Sequence, residues 1–312
     1  MIVRDVYELI GDTPLIELKT LPVPDGVTVY GKLEMMNPGG SVKDRLGLAL
    51  IERALARGDV ERGGTVIEPT AGNTGIGLAL ACQRYDIRLI TVTPEKFSQE
   101  KQALMRLLGA TVVNTPTELG MRGAIDRATE LAAAEQAYVP EQFSNPDNPD
   151  TYVDSLAQEL LRDVPKIDVF VAGAGSGGTF TGVAKSLKPN GTKTVIVEPV
   201  GSVLNGGVSG PHKTEGIGVE KWPPFLDRAL VDAIHTIEDE EAFYYVAHLA
   251  KREGLLVGSS SGAAIAAAVK EAQLLEHGTI VTILPDSVER YLSQGIVKEA
   301  EYAYKNSTHS RG

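Results

Sequence analysis

The chain has 312 residues, with 30 Lys and Arg against 41 Asp and Glu for a formal charge of −11, and that length suffices for one large or two medium domains with a real core. An acidic chain without basic clusters argues against nucleic acid or an anionic membrane as the main partner and leaves a small-molecule task. The first residues lack a basic start and apolar core, no stretch approaches the roughly 20 apolar residues of a membrane span, and the lone Cys82 excludes an internal disulfide; a cytoplasmic protein is expected.

In chain order, the first informative run is Asn37-Pro38-Gly39-Gly40-Ser41-Val42-Lys43-Asp44-Arg45. Gly39 and Gly40 permit a tight turn, Ser41 is expected to cap a helix with Asp44 completing a short capping box, and Leu46, Ala49, Leu50 and Ala54 continue a helical stripe. Lys43 then sits in a first helical turn, where the helix dipole disfavours an ammonium and favours use of the amine as a nucleophile toward a carbonyl. A strand at Thr65-Val66-Ile67 leads into Glu68-Pro69-Thr70-Ala71-Gly72-Asn73-Thr74-Gly75, a second junction between strand and helix. Several N–H groups at such a turn make an anion nest, and an Asn-Thr turn also suits the capping of a helix from near Gly75. Cys82, in the apolar run that follows, reads as a buried helix residue.

Further strands are expected at 88–92, 111–113, 168–171, 194–197 and 279–284, with helices at 99–108, 121–135, 242–252 and 261–276. The alternation gives an α/β class with mostly parallel sheets. The turn-rich run 142–150 is the best hinge candidate, and Lys305–Gly312 is polar and expected to fray. Gly173-x-Gly175-x-x-Gly178 follows a strand and opens a helix, so it forms a phosphate cradle. It also matches the dinucleotide fingerprint, with Glu198 placed for a ribose, which keeps a nicotinamide (NAD) oxidoreductase as a runner-up. The five histidines show no metal-ligand spacing, no metal site is expected, and no G-x-S-x-G elbow supports a hydrolase.

These junctions, together with Ile10-Gly11-Asp12-Thr13-Pro14-Leu15 and Leu284-Pro285-Asp286-Ser287, resemble the cysteine synthase and cystathionine β-synthase family of pyridoxal-phosphate enzymes over nearly the whole chain. The resemblance implies fold type II, the tryptophan synthase β-like architecture, with two α/β domains, helices on both faces of each sheet, and a discontinuous division: residues 40–145 as a smaller mobile domain and 1–39 with 146–312 as a larger one. It implies that Lys43 holds pyridoxal 5'-phosphate as a Schiff base and then acts as general base, with Asn73 at the cofactor's 3-oxygen, Gly175, Ser176, Gly177, Gly178 and Thr179 on its phosphate, and Ser260 at its ring nitrogen, Ser259 and Ser261 being the neighbouring options. A hydroxyl there suits β-elimination, because it need not keep the ring nitrogen protonated.

The resemblance also assigns the substrate carboxylate to Thr70, Ala71, Gly72, Thr74 and Gln142, and places Gly216 in a loop over the mouth. The run Pro69–Asn73 with Pro94–Gln102 looks like that of the bacterial O-acetylserine-dependent cystathionine β-synthases, which implies homocysteine as acceptor; a plain cysteine synthase using sulfide is the alternative. Ala71 stands where many relatives have serine, Ser155–Glu159 replaces a Thr-Thr-Gly-Pro-Glu segment, and Val288 replaces a glycine. The family further implies amino-acid and thiol substrates, a homodimer, and serine acetyltransferase as a partner, with a catalytically silent acetyltransferase-binding scaffold as a remote alternative. At this length neither a haem segment nor a regulatory module, nor allosteric control by one, is expected.

Overall fold

The computed structural model describes residues 2–309. Its strands are β1 (Leu15–Glu17), β2 (Val27–Leu33), β3 (Thr65–Pro69), β4 (Arg88–Pro94), β5 (Thr111–Thr115), β6 (Val169–Gly173), β7 (Lys193–Pro199), β8 (Ala233–Ile237) and β9 (Gly278–Leu284). The helices are α1 (Lys43–Arg57), α2 (Asn73–Arg84), α3 (Gln99–Leu107), α4 (Gly120–Glu135), α5 (Asp147–Asp154), α6 (Leu156–Asp163), α7 (Gly178–Leu187), α8 (Asp239–Glu253), α9 (Ser259–Ala272) and α10 (Ile296–His309). They fall into two compact units, one built from the chain up to Ile10 with Asn37–Asn148, the other from Gly11–Met36 with the chain from Pro149 onward.

The first unit holds a parallel three-stranded sheet, β3-β4-β5, with Ile67 opposite Ile90 and Ile90 opposite Thr111. Tyr138 bridges to β3 beside it, its N–H donating to Thr65 O at 3.0 Å. One face packs Ile67, Ile90 and Val92 on Ala124 and Ala128 of α4. Helix α1 buries Leu46, Leu50, Ile51 and Ala54 completely, each leucine contributing about 1.5–3 kcal/mol relative to exposure.

The second unit holds a six-stranded sheet in the order β1-β2-β9-β6-β7-β8, parallel except for β1 against β2. Helix α9 is alanine-rich because it is buried all round, from Ser259 to Val269. Small side chains let it approach its neighbours closely: a Cβ on Gly262 would strike the carbonyl oxygen of Ala242 in α8.

Every strand expected from the sequence forms, but β1, β2 and β8 were not legible as strands. β1 has three residues, and β2 contains Gly31 and a fully buried Lys32 that pairs with Glu159 at 2.7 Å. β8 carries His235 and Thr236 in its middle. The run 142–150, expected to be irregular, turns into α5 at Asp147. α9 starts at Ser259 and ends at Ala272, short of Glu276. The end expected to fray, 305–312, continues α10 as far as His309, and residues 310–312 lie outside the described residues.

Candidate active site

In the first unit α1 opens at Lys43, but not through the expected capping box. The N-cap is Val42 with no side-chain cap bond; Ser41 Oγ accepts from Lys43 N at 3.2 Å, and the Asp44 carboxylate accepts from Gly39 N at 2.5 Å. Asp44 therefore braces the glycine turn. Helices α1 and α2 then meet backbone to backbone, since a Cβ on Gly77 would collide with the Lys43 carbonyl oxygen and one on Gly47 with the Gly77 backbone. Lys43 and Asn73 are each the first residue of their helix.

The 70–74 loop has a half-buried tip on buried supports. Ala71, Gly72 and Asn73 are partly accessible, whereas Thr70, Thr74 and Gln142 are buried. Thr70 N donates to Val92 O at 3.0 Å, Gly72 N to Thr70 Oγ1 at 3.3 Å, and Thr74 Oγ1 to Gln142 Oε1 at 2.7 Å. The N-cap of α2 is Gly72, without a side-chain cap bond or an acid in the first turn, so the positive end of the helix suits an anion. Asn73 is thus not the cap that an Asn-Thr turn suggests. Sequence reasoning missed Glu68, which is 1 % exposed and accepts from the N–H groups of Glu141 and Gln142; its only signal was an acid following Val66 and Ile67 in a strand. Cys82 is buried in α2, and burial pushes its thiol up to about 12, which leaves it inert.

In the second unit β6 runs into the glycine loop and α7. Gly177 has φ +82° and serves as N-cap, with no side-chain cap bond and no acid in the first turn of α7. Ser176 Oγ accepts from Gly178 N at 3.4 Å. A Cβ on Gly175 would lie 2.7 Å from Gly216 O, and Gly218 N donates to Ala174 O at 3.2 Å, so the 215–218 loop lies directly on the glycine loop. Glu215 N donates to Ser259 Oγ at 3.0 Å. Ser259 is thereby committed to that loop and Ser261 Oγ is buried without a partner, while Ser260 follows Ser259 in the first turn of α9. Gly258, the N-cap, donates to Asp286 O at 3.1 Å, and Asp286 accepts from the buried Tyr291 hydroxyl. Burial, reinforced by Asp286, drives the Tyr291 phenol well above its ordinary range. Glu198, the ribose candidate, is fully buried and accepts from Leu204 N, Asn205 N and the Thr236 hydroxyl. Its carboxylate is spent on a turn.

Three comparisons with known proteins bear on these loops. The family model described as "Pyridoxal-phosphate dependent enzyme" matches residues 6–286. The chain belongs to that pyridoxal-phosphate dependent enzyme family. An "O-acetylserine dependent cystathionine beta-synthase" of Bacillus subtilis is 54 % identical over 300 residues, covering 95 % of this chain and 98 % of that protein. A "Cysteine synthase" of Helicobacter pylori is 52 % identical over 303 residues, covering 95 % and 99 %. The crystal structure of an O-acetylserine dependent cystathionine beta-synthase from Helicobacter pylori superposes with a TM-score of 0.90 at 51 % identity, covering 95 % of this chain and 99 % of that one. This pyridoxal-phosphate dependent enzyme has the fold type II architecture, and pyridoxal phosphate is its cofactor.

The residues present fit that cofactor. In the first unit a lysine opens α1; in the second, a glycine loop with one left-handed residue and an uncapped helix start offers N–H donors without a competing acid, and Ser260 stands in the first turn of α9. The substituted segment 155–159 carries structural duties: Leu156 and Ala157 are fully buried, and Glu159 accepts from Asp12 N at 3.0 Å and pairs with Lys32. Val288 begins a short 3-10 turn. Among the described residues no helix is long and apolar enough to cross a membrane, and no group of three or more His, Cys, Asp or Glu could hold a metal ion.

Proposed function

We propose that the chain catalyses a β-replacement, removing acetate from O-acetyl-L-serine and adding a thiol, to give cystathionine with homocysteine and cysteine with sulfide. The observation that carries this reading is the packing of α1 on α2, which sets Lys43 and Asn73 at two helix starts whose backbones are in contact through Gly47 and Gly77. Pyridoxal phosphate, when bound, supplies the electron sink that lets the α-proton leave. Lys43 would hold the cofactor through its amine, and the same Nζ would serve as the general base for the α-proton of the substrate.

The glycine loop with Thr179 would hold the cofactor's phosphate, Asn73 its 3-oxygen and Ser260 its ring nitrogen. The amides and hydroxyls of 70–74, Ala71 included, with Gln142 hold the substrate carboxylate, and Gly216 lets its loop approach closely. The acceptor is homocysteine in preference to sulfide, supported by the name and 54 % identity of the Bacillus subtilis relative; the cysteine synthase name of the second relative supports sulfide as the alternative. The protein works as a cytoplasmic homodimer, with serine acetyltransferase as a partner of the sulfide reading. A nicotinamide reading loses its anchor because Glu198 is occupied by its own turn. The test is steady-state turnover of O-acetylserine with each thiol in turn: a higher kcat/KM for homocysteine supports the main reading, a higher one for sulfide the alternative, and turnover with neither overturns both.

A further inference from the structure

Glu68 lies next to last in β3, wholly buried, and among the described residues no cation pairs with it. Beside β3, Tyr138 exchanges hydrogen bonds with Thr65 O and Ile67 N at 3.0 and 2.9 Å, as a neighbouring strand would. Two residues on, Pro140 has no N–H, and the pairing stops. At that point the side chain of Glu68 takes over. Its Oε2 accepts from Glu141 N at 3.0 Å and its Oε1 from Gln142 N at 3.2 Å.

The segment so held is strained and otherwise well tied. Glu141 has φ +55°, a region that a non-glycine residue keeps only when its surroundings impose it. Glu141's own carboxylate accepts from Ser144 Oγ at 2.7 Å, and Gln142 O accepts from Asn148 Nδ2 at 2.6 Å. With its backbone gripped on both sides, Gln142 turns its side-chain oxygen to the Thr74 hydroxyl at 2.7 Å.

We propose that Glu68 is a positioning residue for the substrate: its buried carboxylate fixes the backbone of Glu141 and Gln142 and thereby sets the Gln142 side chain against Thr74. This rests on the reading that Thr74 and Gln142 meet the substrate carboxylate. Burial pushes the Glu68 carboxyl up to about 7; the two N–H bonds oppose the rise, and the Glu141 carboxylate, the charged group acting on it, adds to it. The carboxyl offers one oxygen to each of the two N–H groups. Because the closed segment holds the Glu68 proton up to about pH 7 whereas a carboxyl opened to water has lost it well before, opening of this segment becomes easier as pH rises from 4.5 to about 7.

Two measurements test this. In the wild-type holoenzyme, protection of the Glu141 and Gln142 amides against hydrogen exchange, corrected for intrinsic rates, falls as pH rises from 4.5 to about 7; protection that stays constant overturns the proposal even if a Glu68 variant fails to fold. In kinetics, Glu68→Gln, Gln142→Leu and the double variant are compared for O-acetylserine. Glu68→Gln raises KM about tenfold, as for one hydrogen bond lost to a charged acceptor, with kcat changed less than about twofold and the cofactor's absorption unchanged. The double variant is no worse than Gln142→Leu alone, because Glu68 acts through Gln142. A KM raised by Gln142→Leu but not by Glu68→Gln, or additive effects, overturns the positioning role and leaves the substrate reading standing. A KM untouched by Gln142→Leu removes the substrate reading of Gln142 and this proposal with it.

Discussion

The Thr74 hydroxyl donates to the side-chain oxygen of Gln142 across 2.7 Å, joining the start of α2 to a residue 68 positions later in the chain. Both side chains are buried, so the bond is shielded from water. Thr74→Val removes the donor and leaves a buried amide oxygen unpaired, a cost of about 1–3 kcal/mol. The expected result is a KM for O-acetylserine about tenfold higher with the cofactor still bound, checked by steady-state kinetics beside an absorption spectrum.

Gly77→Ala sets two effects against each other. Alanine in a helix interior gains up to about 1 kcal/mol over glycine, but here the new Cβ meets the Lys43 carbonyl oxygen, a backbone atom that cannot swing away. Overpacking of this kind costs about 1–3 kcal/mol or more and wins. Denaturant unfolding should show a net loss of stability of roughly 2 kcal/mol, together with a weaker cofactor band, because the displaced backbone is that of Lys43.

Much of this arrangement was legible before any coordinates, and the reasons differ from place to place. The lysine turn, the 70–74 loop and the glycine loop announce themselves through local chemistry: glycines at turns and strand-to-helix junctions within a few residues of each other. Asp44 was read one step wrongly, as a reciprocal cap for Ser41, because the capping-box spacing does not reveal that Gly39 N lies closer to its carboxylate. β2 escaped because Lys32 looks like a surface residue until Glu159, remote in sequence, is seen to neutralise it. Glu68 escaped for the same reason: its partners are backbone N–H groups more than seventy residues away, and backbone groups leave no trace in a sequence pattern.

Ser259→Ala removes the acceptor for Glu215 N without touching the Ser260 hydroxyl. The net loss of one such bond is about 1 kcal/mol, so hydrogen exchange at the Glu215 amide should accelerate about fivefold while cofactor affinity holds. Exchange at the wild-type rate would show that the 215–218 loop is held elsewhere.

Glu68 also gives stability a pH dependence of definite sign. Burial first, against two N–H bonds, raises its carboxyl in the folded protein from 4.5 to about 7. Between those values the folded state holds the proton and the unfolded state has lost it, so this contribution is complete below pH 4.5 and is lost as pH rises through about 7. The stability of wild type minus that of Glu68→Gln should fall across this window, by on the order of 3 kcal/mol. Urea unfolding of both proteins at several pH values measures it, and a difference independent of pH would show that Glu68 is ionised in the folded state throughout.

The most direct test of the account is the visible spectrum of the purified protein and of Lys43→Ala, recorded alone, after O-acetylserine, and after a thiol. The account predicts a cofactor band in the wild type that changes with O-acetylserine and is restored by the thiol, and a Lys43→Ala protein whose turnover falls about a thousandfold. A wild-type band indifferent to O-acetylserine, or full turnover in Lys43→Ala, would contradict the assignment of Lys43 to the chemistry of β-replacement.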